Sequence, residues 1–235
     1  MFFMPTFNIN YLIYMLPALV LSLIAQLYVN SSFNRWSKKQ NRAGLTGTDV
    51  AQRLTNQLGM YDIKLKGTPG RLTDHYDPRN NVLSLSRDIA QQPSVAAMAI
   101  TAHELGHAQQ DKEGYLLMRI RSAMVPAVNI GTSLGWIMIL IGILLQLGNL
   151  AWLGVFAFSA GAIFSIATLP VELNASKRAR KMLESSGMVT SEEERRGVKQ
   201  VLNAAALTYV AAVATSVLQL LYFASLASGT GRRRG

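Results

Sequence analysis

Half of the 235 residues are hydrophobic and only 15% are charged, which strains any purely soluble reading and makes a membrane protein the better starting class. Cysteine is absent, so disulfides, thiolate metal sites and a cysteine nucleophile are excluded, and any metal must sit on His, Asp or Glu. The net charge of +10 invites nucleic acid, but the 23 Lys and Arg flank long apolar runs instead of forming one basic module, the pattern of the positive-inside rule.

A helix needs about 20 apolar residues to cross a bilayer. Segments 11–29, 127–147, 150–171 and 204–227 qualify, and none holds a Lys, Arg, Asp or Glu. The first is expected to be a retained anchor with its N-terminus outside, since residues 1–10 carry no positive charge and Arg35, Lys38, Lys39 and Arg42 follow the apolar run. Only Gly148 and Asn149 separate the second and third spans, which implies a tight helical hairpin. Segments 30–122, with 13 Lys and Arg, and 172–203, with 7, then share one face, expected to be cytoplasmic. The tail residues Arg232, Arg233 and Arg234 fall outside on this scheme, against the rule, but they are outweighed.

Between the first two spans, Val50, Leu54 and Leu58 give segment 46–59 helical spacing. Segments 63–66 and 71–76 read as strands, 78–81 (PRNN) as a turn and 82–86 as a returning strand, expected at a sheet edge where an extended peptide could pair with it. Pro93 and Ser94 open a helix running to Gln110. Thr190 and Glu193 have capping-box spacing, so the last long helix is expected to start in water.

The central helix carries His103, Glu104, Leu105, Gly106 and His107, the pattern H-E-x-x-H. Residues four apart on a helix lie about 40° apart around its axis, so both imidazoles face one ion, while Glu104 is about 100° away and can reach water beside it. In such a site a metal lowers the pKa of water from about 15.7 toward about 7 and the carboxylate takes the proton. The bland alternative is a buried helix whose histidines are merely hydrogen bonded. Ala96 and Ala99 lie on the histidine face and leave room for another element.

A catalytic zinc takes three protein ligands. No His follows His107, and the acids beyond Asp111 are Glu113, Glu172, Glu184, Glu192, Glu193 and Glu194. On a helix over 171–185, Glu172 shares its face with Ala175, Ala179 and Leu183, an apolar setting in which a metal would offset the cost of the charge. The alternative is a helix-dipole role in a first turn after Pro170. Two spans separate His107 from Glu172, which keeps both on one side of the membrane. His75, between Asp74 and Asp77, is a candidate for a substrate or oxyanion role or else a plain surface histidine.

The blocks LTGTDVA (45–51), DHYDP (74–78), TAHELGHAQQ (101–110), LPVELNAS (169–176) and VLNAAALTYVAA (201–212) resemble, in order and over nearly the whole chain, the YugP-type zinc-dependent membrane peptidases of bacteria. The resemblance implies a gluzincin-like site with Glu172 as the third ligand. More distantly, the chain is similar to the HtpX and prenyl-protein protease group, which has Asp after the Ala of E-x-x-A where this chain has Ser176; a role of that Asp does not carry over. Thr101 replaces the first Ala of the usual AAHE, with little effect expected.

The expected architecture is a mainly α membrane protein with about four transmembrane helices and a small α+β zincin-like cytoplasmic catalytic layer. Its parts are an anchor (1–29), a catalytic region (30–122), a transmembrane hairpin (123–171), cytoplasmic helices with the third ligand (172–203) and a last span with a basic tail (204–235). The expected function is a zinc metalloendopeptidase of the bacterial cell membrane with one zinc per chain, acting on membrane-associated or unfolded polypeptides, with the bilayer and no nucleic acid as partner. The alternative is a catalytically silent metal-binding membrane scaffold or chaperone, against which the intact Glu104 speaks. A metal transporter is disfavoured because the spans hold no ionisable residue.

Overall fold

The computed structural model describes residues 9–231, so the tail arginines Arg232, Arg233 and Arg234 lie outside the described residues. The chain is mainly helical: α1 (Ile9–Ser37), α2 (Gly47–Gln57), α3 (Arg87–Gln91), α4 (Val95–Lys112), α5 (Leu116–Leu144), α6 (Gly148–Ser185) and α7 (Glu192–Gly231), with strands β1 (Lys64–Thr68), β2 (His75–Asp77) and β3 (Val82–Ser86) between α2 and α3. Four of the described helices, α1, α5, α6 and α7, are long and apolar enough to cross a membrane. The chain divides into two compact units, one of residues 1–25, 120–169 and 208–235, the other of 26–119 and 170–207.

In the first unit, α5 and α6 form a hairpin whose turn falls at 145–147, three residues before the expected Gly148 and Asn149, because Gln146 takes up the left-handed conformation (φ 55°) that reverses the chain. The two helices touch through backbone: a Cβ on Gly135 would lie 2.6 Å from the Phe158 nitrogen. Phe158 in turn stacks edge-on against Phe223 of α7, with ring centroids 5.0 Å apart, and Ser22 of α1 bonds Thr215 of α7 at 3.2 Å. Large apolar side chains such as Phe156, Leu19 and Ile130 point outward, as expected of helices that face hydrocarbon.

The second unit is built around α4, whose Val95, Ala96, Ala97, Met98, Ala99, Ala102 and Leu105 are all fully buried. Such a helix, apolar on every side, must be enclosed. Ser94 starts it by accepting from the Ala97 amide at 3.1 Å. Helix α2 begins with a full capping box, Thr46 with Asp49.

Three expectations are corrected here. The strand expected over 71–76 is confined to His75–Asp77, since Gly70 and Leu72 both have positive φ and break the extended run. Strand β3 is not at an edge: the order is β1-β3-β2, with β1 parallel and β2 antiparallel to it, so both its backbone edges are occupied. The capping box of α7 is Ser191 with Glu194, one residue later than expected, because Glu194 is buried and gathers the Arg42 amide (2.7 Å) together with those of Thr190 and Ser191.

Gly135→Val should lower the thermal midpoint of the detergent-solubilised protein, through overpacking worth about 1 to 3 kcal/mol. Gly131→Ala, whose Cβ would lie 3.2 Å from the Ala157 oxygen, should cost less. Equal midpoints for wild type and Gly135→Val would contradict the backbone contact.

Candidate metal centre

Helices α4 and α6 meet at Gly106. A Cβ there would lie 2.6 Å from the Ala175 carbonyl oxygen, so only glycine permits this approach without displacing a backbone. The small residue that admits the second helix is therefore the glycine inside the motif; Ala96 and Ala99 are themselves sealed in the core. The crossing brings Glu172, 2% exposed, onto the histidine face. Glu172 lies 25th in the continuous helix Gly148–Ser185, which removes the first-turn dipole alternative.

One carboxylate oxygen, Glu172 Oε2, lies 3.3 Å from His103 Nε2 and 3.3 Å from His107 Nε2. The rings stand nearly perpendicular, with centroids 4.9 Å apart. Of the described residues, His103, His107 and Glu172 form the group able to hold a metal ion, with donor atoms all within 4.8 Å of one another.

The far side of each ring decides which nitrogen is free. His107 Nδ1 is 3.0 Å from Gln110 Oε1, an acceptor, so Nδ1–H donates and Nε2 keeps its lone pair. His103 Nδ1 is 3.2 Å from the Ser176 hydroxyl, a group able to donate or accept, so it is compatible with an Nδ1–H and an Nε2 lone pair on this ring as well. Ser176 thus stands behind His103 as Gln110 stands behind His107.

Two imidazole lone pairs and a carboxylate converge on one point, an arrangement that repels itself unless a cation or proton stands there. Tetrahedral ligands about 2.0 to 2.1 Å from zinc are about 3.3 Å apart, the spacing seen here between Glu172 and each histidine, and two imidazoles with a carboxylate are a zinc donor set. The residues fit the ion.

Glu104 stands apart from this set. Its Oε2 accepts from the Tyr76 backbone amide at 3.1 Å, on the β2 edge that β3 does not use. Burial pushes its pKa up, and the neighbouring His103 and His107 pull it partly back. His107 moves upward: burial alone would lower it, but the Glu172 carboxylate 3.3 Å away favours the protonated ring and reverses the sign. Asp74, on the other side of His75, is also raised by burial and caps the Ser86 amide at 2.7 Å. His75 is exposed, outside the three-residue group, and its Nδ1 lies 2.8 Å from the carbonyl of Thr73, two residues earlier.

The sequence reading missed Gln110 and Asn174, because neutral amides carry no metal-ligand signature. A cue was present in the i+3 spacing of Gln110 from His107, whereas Asn174, two residues beyond Glu172, carried none. Thr101, 0% exposed, has a hydroxyl with no hydrogen-bond partner inside the core.

Gly106→Val should force α4 and α6 apart and reduce bound zinc per folded chain by tenfold or more, as read by metal analysis of protein that still elutes as a single species. Full zinc content in this variant would show that the close approach is dispensable.

The described family "Putative neutral zinc metallopeptidase" matches residues 11–228. The chain is 42% identical over 208 residues to "Putative membrane protease YugP" of Bacillus subtilis (strain 168), covering 88% of this chain and 92% of that protein. No solved structure matches. The matched span takes in α4 and the stretch of α6 that carry the histidine and glutamate donors, and so the chain belongs to the family of putative neutral zinc metallopeptidases.

Proposed function

We propose that the protein is an integral-membrane zinc endopeptidase in which His103, His107 and Glu172 hold one zinc and Glu104 is the general base. The observation that carries the reading is the convergence of three donor atoms within 4.8 Å beside a fourth residue, Glu104, that is held away from them by the Tyr76 amide. Zinc, when bound, supplies a Lewis acid that polarises a peptide carbonyl and acidifies water. Glu104 Oε2 stays on the Tyr76 amide, leaving Oε1 to take a proton from water and deliver it to the departing amine. A metal-binding scaffold needs no such base. His75 keeps the local role given by its contact with Thr73.

The substrate is a polypeptide, membrane-associated or unfolded. Because β3 is flanked on both sides, the strand edge beside Glu104 is the outer edge of β2, which is only three residues long and whose Tyr76 amide Glu104 already holds. The four apolar helices are read as transmembrane, with 30–122 and 172–203 forming a zincin-like layer on the cytoplasmic face; the 20 Lys and Arg in those segments support this side.

Glu104→Gln keeps the size and hydrogen bonding of the side chain, so zinc content and thermal midpoint should stay near wild type while cleavage of an unfolded casein-like chain falls by about 10² to 10⁴. Glu172→Ala should lose the metal and Glu184→Ala should keep it. Undiminished cleavage by Glu104→Gln would sink the mechanism, and full zinc in Glu172→Ala would sink the ligand set.

Topology is tested separately. A reporter after Gln40 or Gly187 should read cytoplasmic and one after Gln146 external. The opposite pattern would invert the orientation and leave the metal site intact.

A further inference from the structure

Gln110 is fully buried and makes three hydrogen bonds: it accepts from His107 Nδ1 at 3.0 Å and donates from Nε2 to the Val171 carbonyl at 2.8 Å and to Asn174 Oδ1 at 2.9 Å. Asn174 Oδ1 also accepts from Arg178 Nε at 2.7 Å, and Arg178 is itself held by Glu113 at 2.7 Å. These bonds have a direction. A guanidinium can only donate, so Arg178 turns the Asn174 oxygen toward itself and toward Gln110. The Asn174 oxygen and the Val171 carbonyl, which can only accept, both oblige Gln110 to present its NH₂, and the Gln110 oxygen is then left for His107 Nδ1–H. The proton on His107 is thereby fixed on Nδ1, and Nε2 is left as a lone pair aimed at Glu172 Oε2.

The same amide reaches α6 at Val171, the residue preceding Glu172. One side chain therefore sets the tautomer of one ligand and the backbone position of another, and it does so across the two helices that meet at Gly106. We propose that Gln110 is a positioning residue that brackets His107 and Glu172 into a single metal site, with its orientation set by the Val171 carbonyl and reinforced by Arg178 through Asn174. The proposal rests on the metal-site reading above.

Zinc sites commonly orient histidine with a carboxylate, and loss of such a partner costs about 10- to 100-fold in metal affinity. Here the partner is an amide because it must donate as well as accept. Gln110→Glu separates these two duties. It keeps an acceptor for His107 but sets a carboxylate against the oxygens of Val171 and Asn174.

The experiment measures zinc affinity by chelator competition on the full-length protein in detergent, together with the visible spectrum of the cobalt-substituted protein, which reports coordination geometry. Gln110→Glu should lose about 10- to 100-fold in zinc affinity and show an altered cobalt spectrum. Asn174→Asp, which still accepts from both Gln110 and Arg178, should stay within about threefold of wild type, whereas Asn174→Leu should lose affinity. The melting curve of each metal-free variant confirms that folded protein is being compared.

Gln110→Glu binding zinc as tightly as wild type would overturn the bracket while leaving the ligand set in place. Asn174→Asp losing as much as Asn174→Leu would overturn the directional relay. Wild-type protein with no zinc affinity would overturn the metal-site reading and this proposal together.

Discussion

A buried carboxylate facing two imidazole lone pairs is the constraint on which the rest of the metal centre depends. Glu172 is 2% exposed, and both histidine Nε2 atoms stand 3.3 Å from the same oxygen. Taking a charge out of water costs several kcal/mol unless it is paired, so this arrangement is stable only with positive charge at its centre. The hydroxyl of Ser176 and the amide of Gln110 hold the rings so that these lone pairs cannot turn away.

The backbone is arranged around this point by packing. Gly106 permits contact between α4 and the Ala175 carbonyl, and a larger residue would push the glutamate away from the histidines on the neighbouring helix. Helix α6 also runs through Pro170, which cannot supply an amide hydrogen to the carbonyl of Ile166. The helix nevertheless continues, so Glu172 stands in a mid-helix position, with its neighbours Val171, Ala175 and Ala179 fully buried and no frayed end to let it drift.

Glu104 is held apart from His103, His107 and Glu172 by the short strand β2. In the antiparallel β2–β3 pair the Tyr76 amide turns away from β3 and toward the carboxylate. Tyr76 is anchored from its other end, where its hydroxyl meets Asn81 (2.9 Å) and Asp111 (3.1 Å); burial and the Asp111 charge raise the phenol's pKa well above its usual range. A tyrosine that stays protonated remains a donor to Asp111, and this ties the strand to the last turn of α4.

The sequence by itself determined the helical pattern of His103, Glu104 and His107, the apolar runs and the apolar face around Glu172, because each is a periodicity within one segment. Its family resemblance was also legible, since the matching blocks follow one another along most of the chain. Sequence did not determine the position of β3, because a five-residue apolar strand reads alike at an edge and at a centre, and only pairing with β1 and β2 distinguishes them. The α7 cap was likewise ambiguous between Thr190 with Glu193 and Ser191 with Glu194, and it was decided by the Arg42 amide arriving from a distant loop. Gln110, Asn174 and Ser176 acquire their hydrogen-bond partners across the site only when α4 and α6 cross, since an amide or a hydroxyl is chemically anonymous until the partner that fixes its direction is in place.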